Sequence, residues 1–224
     1  MSNMNIFDKN LIEGFSDPNL DSIVLFHGYG ADANDLAPLS EYIPTSKKFN
    51  WYFPNGPLSI PLGGAWMGRA WWPIPLERYQ QEGKNLDVSE EVPNGIDKLA
   101  IEFKKWLSAK NIDSKKLILG GFSQGGMLAL DLFFELEAPP KALLLLSTNL
   151  INKKNLKTKF KKEMLNSQYF LSHGTSDPVL PISGSDRLQS FLNEYGIKGK
   201  KINFNGGHEI PPNILLEMGK FISQ

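Results

Sequence analysis

Apolar residues along this chain fall into short blocks, separated by longer stretches in which they recur every three or four positions. The blocks at 23–26, 51–53, 117–119, 142–146, 169–171 and 202–204 have strand length and a near-continuous apolar character. That pattern predicts parallel strands buried on both faces. Residues 89–110 place Ile96, Leu99, Ala100, Phe103 and Leu107 on one helical face, with Glu90 and Glu91 in the first turn and Lys110 in the last, the charges that suit each end of a helix dipole. Further helices are predicted over 34–42, 124–136, 183–195 and 211–222. Strand and helix taking turns predicts an α/β architecture, a mostly parallel central sheet with helices on both faces. No internal repeat is present.

Two stretches break the alternation. Residues 54–83 form a long connection holding Trp66, Met67, Trp71, Trp72, Ile74 and Leu76 among prolines and glycines, too broken for a regular helix and too apolar for a solvated linker. It is read either as a loop tucked onto the sheet edge or as an apolar wall or mobile lid beside a site. Residues 152–162 carry Lys153, Lys154, Lys157, Lys159, Lys161 and Lys162. A solvated face explains them, with attraction to anionic lipid head groups as the alternative.

Composition narrows the classes. The 224 residues, 41% of them hydrophobic, suit one domain spanning 1–224. Lysine plus arginine equal aspartate plus glutamate at 24 each, so no net field favours nucleic acid. The absence of cysteine excludes disulfides, a thiol nucleophile and thiolate metal sites. The polar start Met1-Ser2-Asn3-Met4-Asn5 has no signal-peptide core, and no apolar run approaches the roughly 18 residues of a membrane span, so a cytoplasmic location is expected.

The candidate chemistry centres on Gly121-Phe122-Ser123-Gln124-Gly125. The apolar run Leu117-Ile118-Leu119 precedes it and Met127-Leu128-Ala129-Leu130 follows, which reads as strand, sharp turn and helix. Such an elbow lifts a serine hydroxyl above the sheet. A serine hydroxyl is a weak nucleophile at neutral pH and needs a base, oriented in turn by an acid. Only His27, His173 and His208 are available. The chain order serine, acid, histidine of α/β-hydrolases leaves His208, after the turn Gly206-Gly207, as the base. Asp177, in the turn His173-Gly174-Thr175-Ser176-Asp177-Pro178, is the acid, an Asp-Pro turn or helix cap being its plainer reading. His27 is read as shaping the turn Leu25-Phe26-His27-Gly28-Tyr29-Gly30 rather than as a base. Backbone amides of Tyr29 and Gln124 are the candidate oxyanion donors. No two histidines have helical ligand spacing, so no metal site is expected.

Taken together, Leu25 to Gly30, Gly120-Gly121-Phe122-Ser123-Gln124-Gly125-Gly126, the segment His173-Gly174-Thr175-Ser176-Asp177-Pro178-Val179 and Gly206-Gly207-His208 resemble the phospholipase/carboxylesterase family, to which acyl-protein thioesterases belong. The resemblance runs over about residues 22–221. It implies an α/β-hydrolase fold without a large cap domain, Ser123, Asp177 and His208 as a triad, Tyr29 and Gln124 as oxyanion donors, and cofactor-free hydrolysis of carboxylic esters or thioesters. The implied partners are small-molecule or lipid acyl esters and acylated proteins, with peripheral membrane contact and a homodimer both allowed. Trp71-Trp72-Pro73 departs from relatives that read tryptophan, an aromatic residue and aspartate there, so the acyl-binding loop is the part that does not carry over. Trp66, Met67, Trp71, Trp72 and Ile74 are expected to line the acyl groove. The rival from another class is a catalytically silent protein of this fold that docks lipid or a partner through the tryptophan loop.

Overall fold

Every strand block read from the sequence lies in one seven-stranded sheet, and the period-2 alternation of its side chains divides the core into two layers. The computed structural model describes residues 4–14 and 17–224; Met1, Ser2 and Asn3 of the polar start lie outside the described residues. In chain order the elements are β1 (Ile12–Glu13), β2 (Ser22–Phe26), α1 (Ala33–Leu36), α2 (Leu39–Tyr42), β3 (Asn50–Phe53), β4 (Leu58–Gly63), β5 (Trp66–Ala70), α3 (Leu76–Glu82), α4 (Ile96–Ala109), β6 (Leu117–Phe122), α5 (Gln124–Glu135), β7 (Ala142–Leu146), α6 (Lys153–Lys159), β8 (Gln168–Gly174), α7 (Ile182–Glu194), β9 (Lys198–Phe204) and α8 (Pro212–Ile222). The sheet order is β1-β3-β2-β6-β7-β8-β9, parallel throughout except where β1 meets β3.

Val24, Phe26, Leu117, Leu119, Leu143, Leu145, Tyr169 and Leu171 face α4, α5, α6 and α7, while Ile23, Leu25, Ile118, Leu144, Leu146 and Phe170 face α1 and α8. The strand order reverses direction between β2 and β6. In open parallel sheets the crevice at the carboxyl ends of two such strands is where ligands bind.

Several boundaries move for identifiable reasons. The helix expected over 89–110 begins at Ile96, because Pro93 disfavours helical geometry before it and Gly95 takes a left-handed φ of 83° at the N-cap. Glu90 and Glu91 therefore precede the helix, and Asp97 is the acid in its first turn. The helix expected over 34–42 is two short ones, α1 and α2, with Pro38 as the N-cap of the second. Asp32 closes a capping box with Asp35 at the start of α1. β9 was expected to be buried; it is the sheet edge, and its exposed Lys198 and Lys200 are the kind of side chain that discourages edge pairing.

The connection 54–83 contains regular structure after all. β4 and β5 form a separate antiparallel hairpin, and α3 follows it. The hairpin stands on the loop after β2, through Gly30 N–H to Arg69 O at 2.9 Å and Arg69 N–H to Ala31 O at 3.0 Å. The lysines of 152–162 surround α6, where Lys153 pairs with Glu90, Lys157 with Glu194 and Lys159 with Glu135, and Lys161 donates to the Leu136 carbonyl. The exposed pairs of Lys153 and Lys157 add little stability. No helix among the described residues is long and apolar enough to cross a membrane.

Asp131 is the exception inside the core. It is wholly buried in α5, accepts a hydrogen bond from Asn152 Nδ2 at 2.7 Å on one oxygen, and has no partner for the other among the described residues. Burial pushes its pKa up to about 6, against the Asn152 bond and the Lys159 charge. A carboxyl raised in this way is neutral without penalty below its unfolded value near 4, and its ionisation costs increasing stability as pH rises towards 6. Asp131→Asn, which keeps the acceptor for Asn152, should therefore gain on wild type between pH 4 and 7, by up to about 3 kcal/mol. Urea unfolding of both proteins across that range checks it; a pH-independent difference would show that Asp131 does not titrate there.

Candidate active site

Ser123 occupies the step from β6 to α5, with φ 54° and ψ −119°, a backbone conformation rare for a residue with a side chain. Neighbours hold it there. Its N–H donates to Leu146 O at 2.9 Å, and its carbonyl accepts from Thr148 Oγ1 at 2.7 Å and from the amides of Gly126 and Met127. The side chain is thereby raised over the carboxyl end of the sheet.

Two loops bring the other groups to it. His208 lies between β9 and α8, its ring packed 4.8 Å from that of Phe122, with Nε2 2.9 Å from Ser123 Oγ. Its Nδ1 is 2.7 Å from Asp177 Oδ2. The other carboxylate oxygen of Asp177 accepts from the Val179 and Leu180 amides at 2.8 and 2.9 Å. Burial would push the Asp177 carboxyl up, but its bond to His208, the His208 charge and those two amides outweigh burial and hold it below the usual carboxylate value. It is therefore ionised at neutral pH. His173, fully buried at the end of β8, donates from Nε2 to Leu180 O at 2.9 Å and lies 3.3 Å from Asp177 Oδ2. Burial lowers its pKa, so it is a neutral support for the acid's loop.

Tyr29 follows β2 and Gln124 begins α5. The Gln124 amide is one of those an α-helix leaves without an internal partner. Its side chain is spent elsewhere: Oε1 accepts from Trp71 N–H at 3.0 Å and Nε2 donates to Trp72 O at 2.8 Å. This buried amide clamps the tryptophan loop to the elbow.

A cavity of about 340 Å³ opens beside Ser123, Gln124 and His208. Its apolar wall comes from Ile74, Leu76, Tyr79, Met127, Val179 and Leu180. Burial pushes the Tyr79 hydroxyl up to about 12, so it stays neutral. Of the loop residues expected in the groove, only Ile74 lines this cavity. Trp71 and Trp72 are buried in the core behind it, 3% and 4% exposed, because their backbone is bonded to Gln124 and the Trp71 ring packs on Phe7 and Phe26. Trp66 and Met67 stand out on the hairpin, 79% and 58% exposed. Tyr79, Met127 and Leu180 were not singled out in the sequence; Met127 could have been, since it sits one helical turn beyond Ser123.

Residues 8–224 match the sequence pattern of the phospholipase/carboxylesterase family. The chain belongs to that family. Within this family it is 28% identical over 212 residues to acyl-protein thioesterase 1 homolog 1 of Dictyostelium discoideum, covering 91% of this chain and 89% of the relative. It is 27% identical over 216 residues to acyl-protein thioesterase 1 of Saccharomyces cerevisiae, covering 92% and 93%. The crystal structure of esterase PE8 superposes with a TM-score of 0.72 at 26% identity, over 90% of this chain and 91% of that one. Zea mays acyl-protein thioesterase 2 gives 0.73 at 20% identity, over 95% and 97%, and shares the fold, an α/β-hydrolase.

In this family member the Gln124 clamp is expected to be a principal support of the site. Gln124→Met has a similar shape but leaves Trp71 N–H and Trp72 O buried and unpaired, which should cost about 2–6 kcal/mol of stability at roughly 1–3 for each group. Chemical denaturation measures it, and a loss under about 1 kcal/mol would mean that water takes both groups over.

Proposed function

We propose that this chain is a serine hydrolase, cleaving carboxylic esters or thioesters of short to medium acyl chains through an acyl-enzyme on Ser123. One observation carries the reading: an unbroken hydrogen-bonded line from Asp177 through His208 to Ser123, ending at the mouth of an apolar cavity. The thioesterase names of the relatives agree with it.

Asp177 accepts from His208 Nδ1, which leaves Nε2 without a proton and able to take the one on Ser123 Oγ. Oγ then bonds to the acyl carbon while the carbonyl oxygen gains negative charge, received by the Tyr29 and Gln124 amides. Collapse of the tetrahedral species expels the alcohol or thiol with the proton from His208. Water, deprotonated by the same imidazole, attacks the acyl-enzyme, and collapse of that second tetrahedral species frees the carboxylic acid as His208 returns the proton to the departing Ser123 Oγ. Each step balances without any group beyond these residues, substrate and water.

The acyl chain lies along Ile74, Leu76, Met127, Val179 and Leu180, and the exposed Leu62, Trp66 and Met67 of the hairpin face a lipid-bearing substrate. An intact line from acid to nucleophile argues against the silent, ligand-docking alternative. Ser123→Ala should lower turnover of 4-nitrophenyl esters by about 10⁴-fold or more and abolish fluorophosphonate labelling seen by intact mass. In the wild type, kcat/KM should climb with acyl length by roughly fourfold per methylene, at about 0.8 kcal/mol each, until the cavity is filled. Labelling that survives in Ser123→Ala would remove the nucleophile, and a flat length profile would remove the cavity from the reading while leaving the triad.

A further inference from the structure

His27 has no place in the line of proton transfer, yet its ring is held more tightly than a turn requires. It is 1% exposed at the carboxyl end of β2. The Gly56 N–H donates to its Nε2 at 2.9 Å. A backbone N–H is only ever a donor, so Nε2 carries no proton and Nδ1 does. That Nδ1–H donates to the Gly28 carbonyl at 2.7 Å. Burial pushes the ring's pKa down, against the Gly28 bond and the charges of Asp32 and Asp35, which keeps it neutral in this one tautomer. The Trp71 indole donates to the His27 carbonyl at 2.9 Å and packs along the imidazole.

The consequence lies in the next peptide unit. The Gly28 carbonyl and the Tyr29 N–H belong to one planar group, trans like the other described peptides, so they point in opposite directions. The carbonyl is gripped from the protein side by His27 Nδ1 and by the Ala31 amide at 3.3 Å, across a turn whose third residue, Gly30, has φ 85° as a type II turn requires. The Tyr29 N–H is thereby turned the other way, and Tyr29 borders the cavity with Ser123 and Gln124. Gly30 cannot substitute as a donor, because its own amide is bonded to Arg69 O.

We propose that His27 is a positioning residue of the oxyanion site: a tautomer locked by Gly56 holds the Gly28 carbonyl and so aims the Tyr29 N–H at the substrate's carbonyl oxygen. This rests on the hydrolase reading above. His27 exchanges no proton with substrate; its effect is confined to the transition state, where the oxygen carries charge.

Two amide substitutions separate the bonds. In His27→Asn the terminal nitrogen falls near the position of Nδ1 and can hold Gly28, whereas in His27→Gln the terminal amide reaches the Nε2 position and Gly56 but leaves Gly28 free. With a 4-nitrophenyl ester, kcat of His27→Gln should fall by about 100-fold with KM nearly unchanged, and affinity for an alkyl boronic acid, a tetrahedral mimic, should fall in parallel. His27→Asn should recover most of both. Equal losses in the two variants that track their melting temperatures, or full kcat in His27→Gln, would overturn the proposal. Nitrogen-15 NMR of the wild type at neutral pH gives a second test that needs no variant to fold: a protonated Nε2 on His27 would overturn it outright. Failure of the hydrolase reading has a different signature, the absence of fluorophosphonate labelling in the wild type.

Discussion

The start of α5 rests directly on the end of β2, backbone against backbone, and the geometry of the site follows from that contact. A Cβ at Gly125 would fall 2.0 Å from Phe26 O and 2.6 Å from His27 O, so no other residue lets the helix come so close. With the two backbones in contact, the amide at the head of α5 and the amide of the turn after β2 have a fixed separation that no side-chain rotation can alter. Ser123 is caught between them in a conformation that costs of order 1–3 kcal/mol if unsupported. Its bonds to Leu146 and Thr148, from the end of β7 and the loop beyond, provide the support.

The second contact of this kind brings Asp177 to His208. A Cβ at Gly174 would fall 2.1 Å from Gly207 O, so the loop after β8 lies flat on the loop after β9. Thr175 N–H to Phe204 O and Ser176 N–H to Gly206 O stitch the two together. Ser147 Oγ adds a bond to Glu209 O from the end of β7. Asp177 and His208 thus depend on neighbouring strands, while Ser123 reaches them only because β6 and β7 continue the same parallel order. A parallel sheet places every strand's carboxyl end along one rim, and the site uses four of them, β2, β6, β8 and β9.

What the sequence shows of this follows from which interactions are local. Strand blocks were legible because a parallel strand buried on both faces is apolar at every position, as in Ala142–Leu146; β9 has the same role in the site but lies at an edge, and its Lys198, Lys200 and Lys201 hide it except near Phe204. The elbow and the turns carrying Asp177 and His208 were legible because reversing the chain at the end of a strand demands particular residues in consecutive positions. The cavity wall was not. Trp71 and Trp72 satisfy the same composition rule as a groove lining, and only the nonlocal bonds to Gln124 send them into the core. Tyr79, Met127 and Leu180 come from a short helix, the elbow helix and the acid's turn, and nothing in their spacing along the chain joins them.

The turn bearing Asp177 also shapes the cavity. Leu180 donates its N–H to one oxygen of Asp177, receives the His173 ring on its carbonyl, and presents its side chain to the cavity. Asp177 and Leu180 are bonded within one turn, so a shift of either is felt by the other. His173 resists both, since it is buried and lies within 3.3 Å of the carboxylate oxygen that His208 uses. In the proposed hydrolysis, acyl groups that fit the wall would leave the Asp177–His208 alignment intact, and groups that push against Leu180 would disturb it. On the proposed reading, selection among acyl chains would act on the rate of the chemical step as well as on binding, because the same four residues, Asp177 to Leu180, carry the acid and part of the wall.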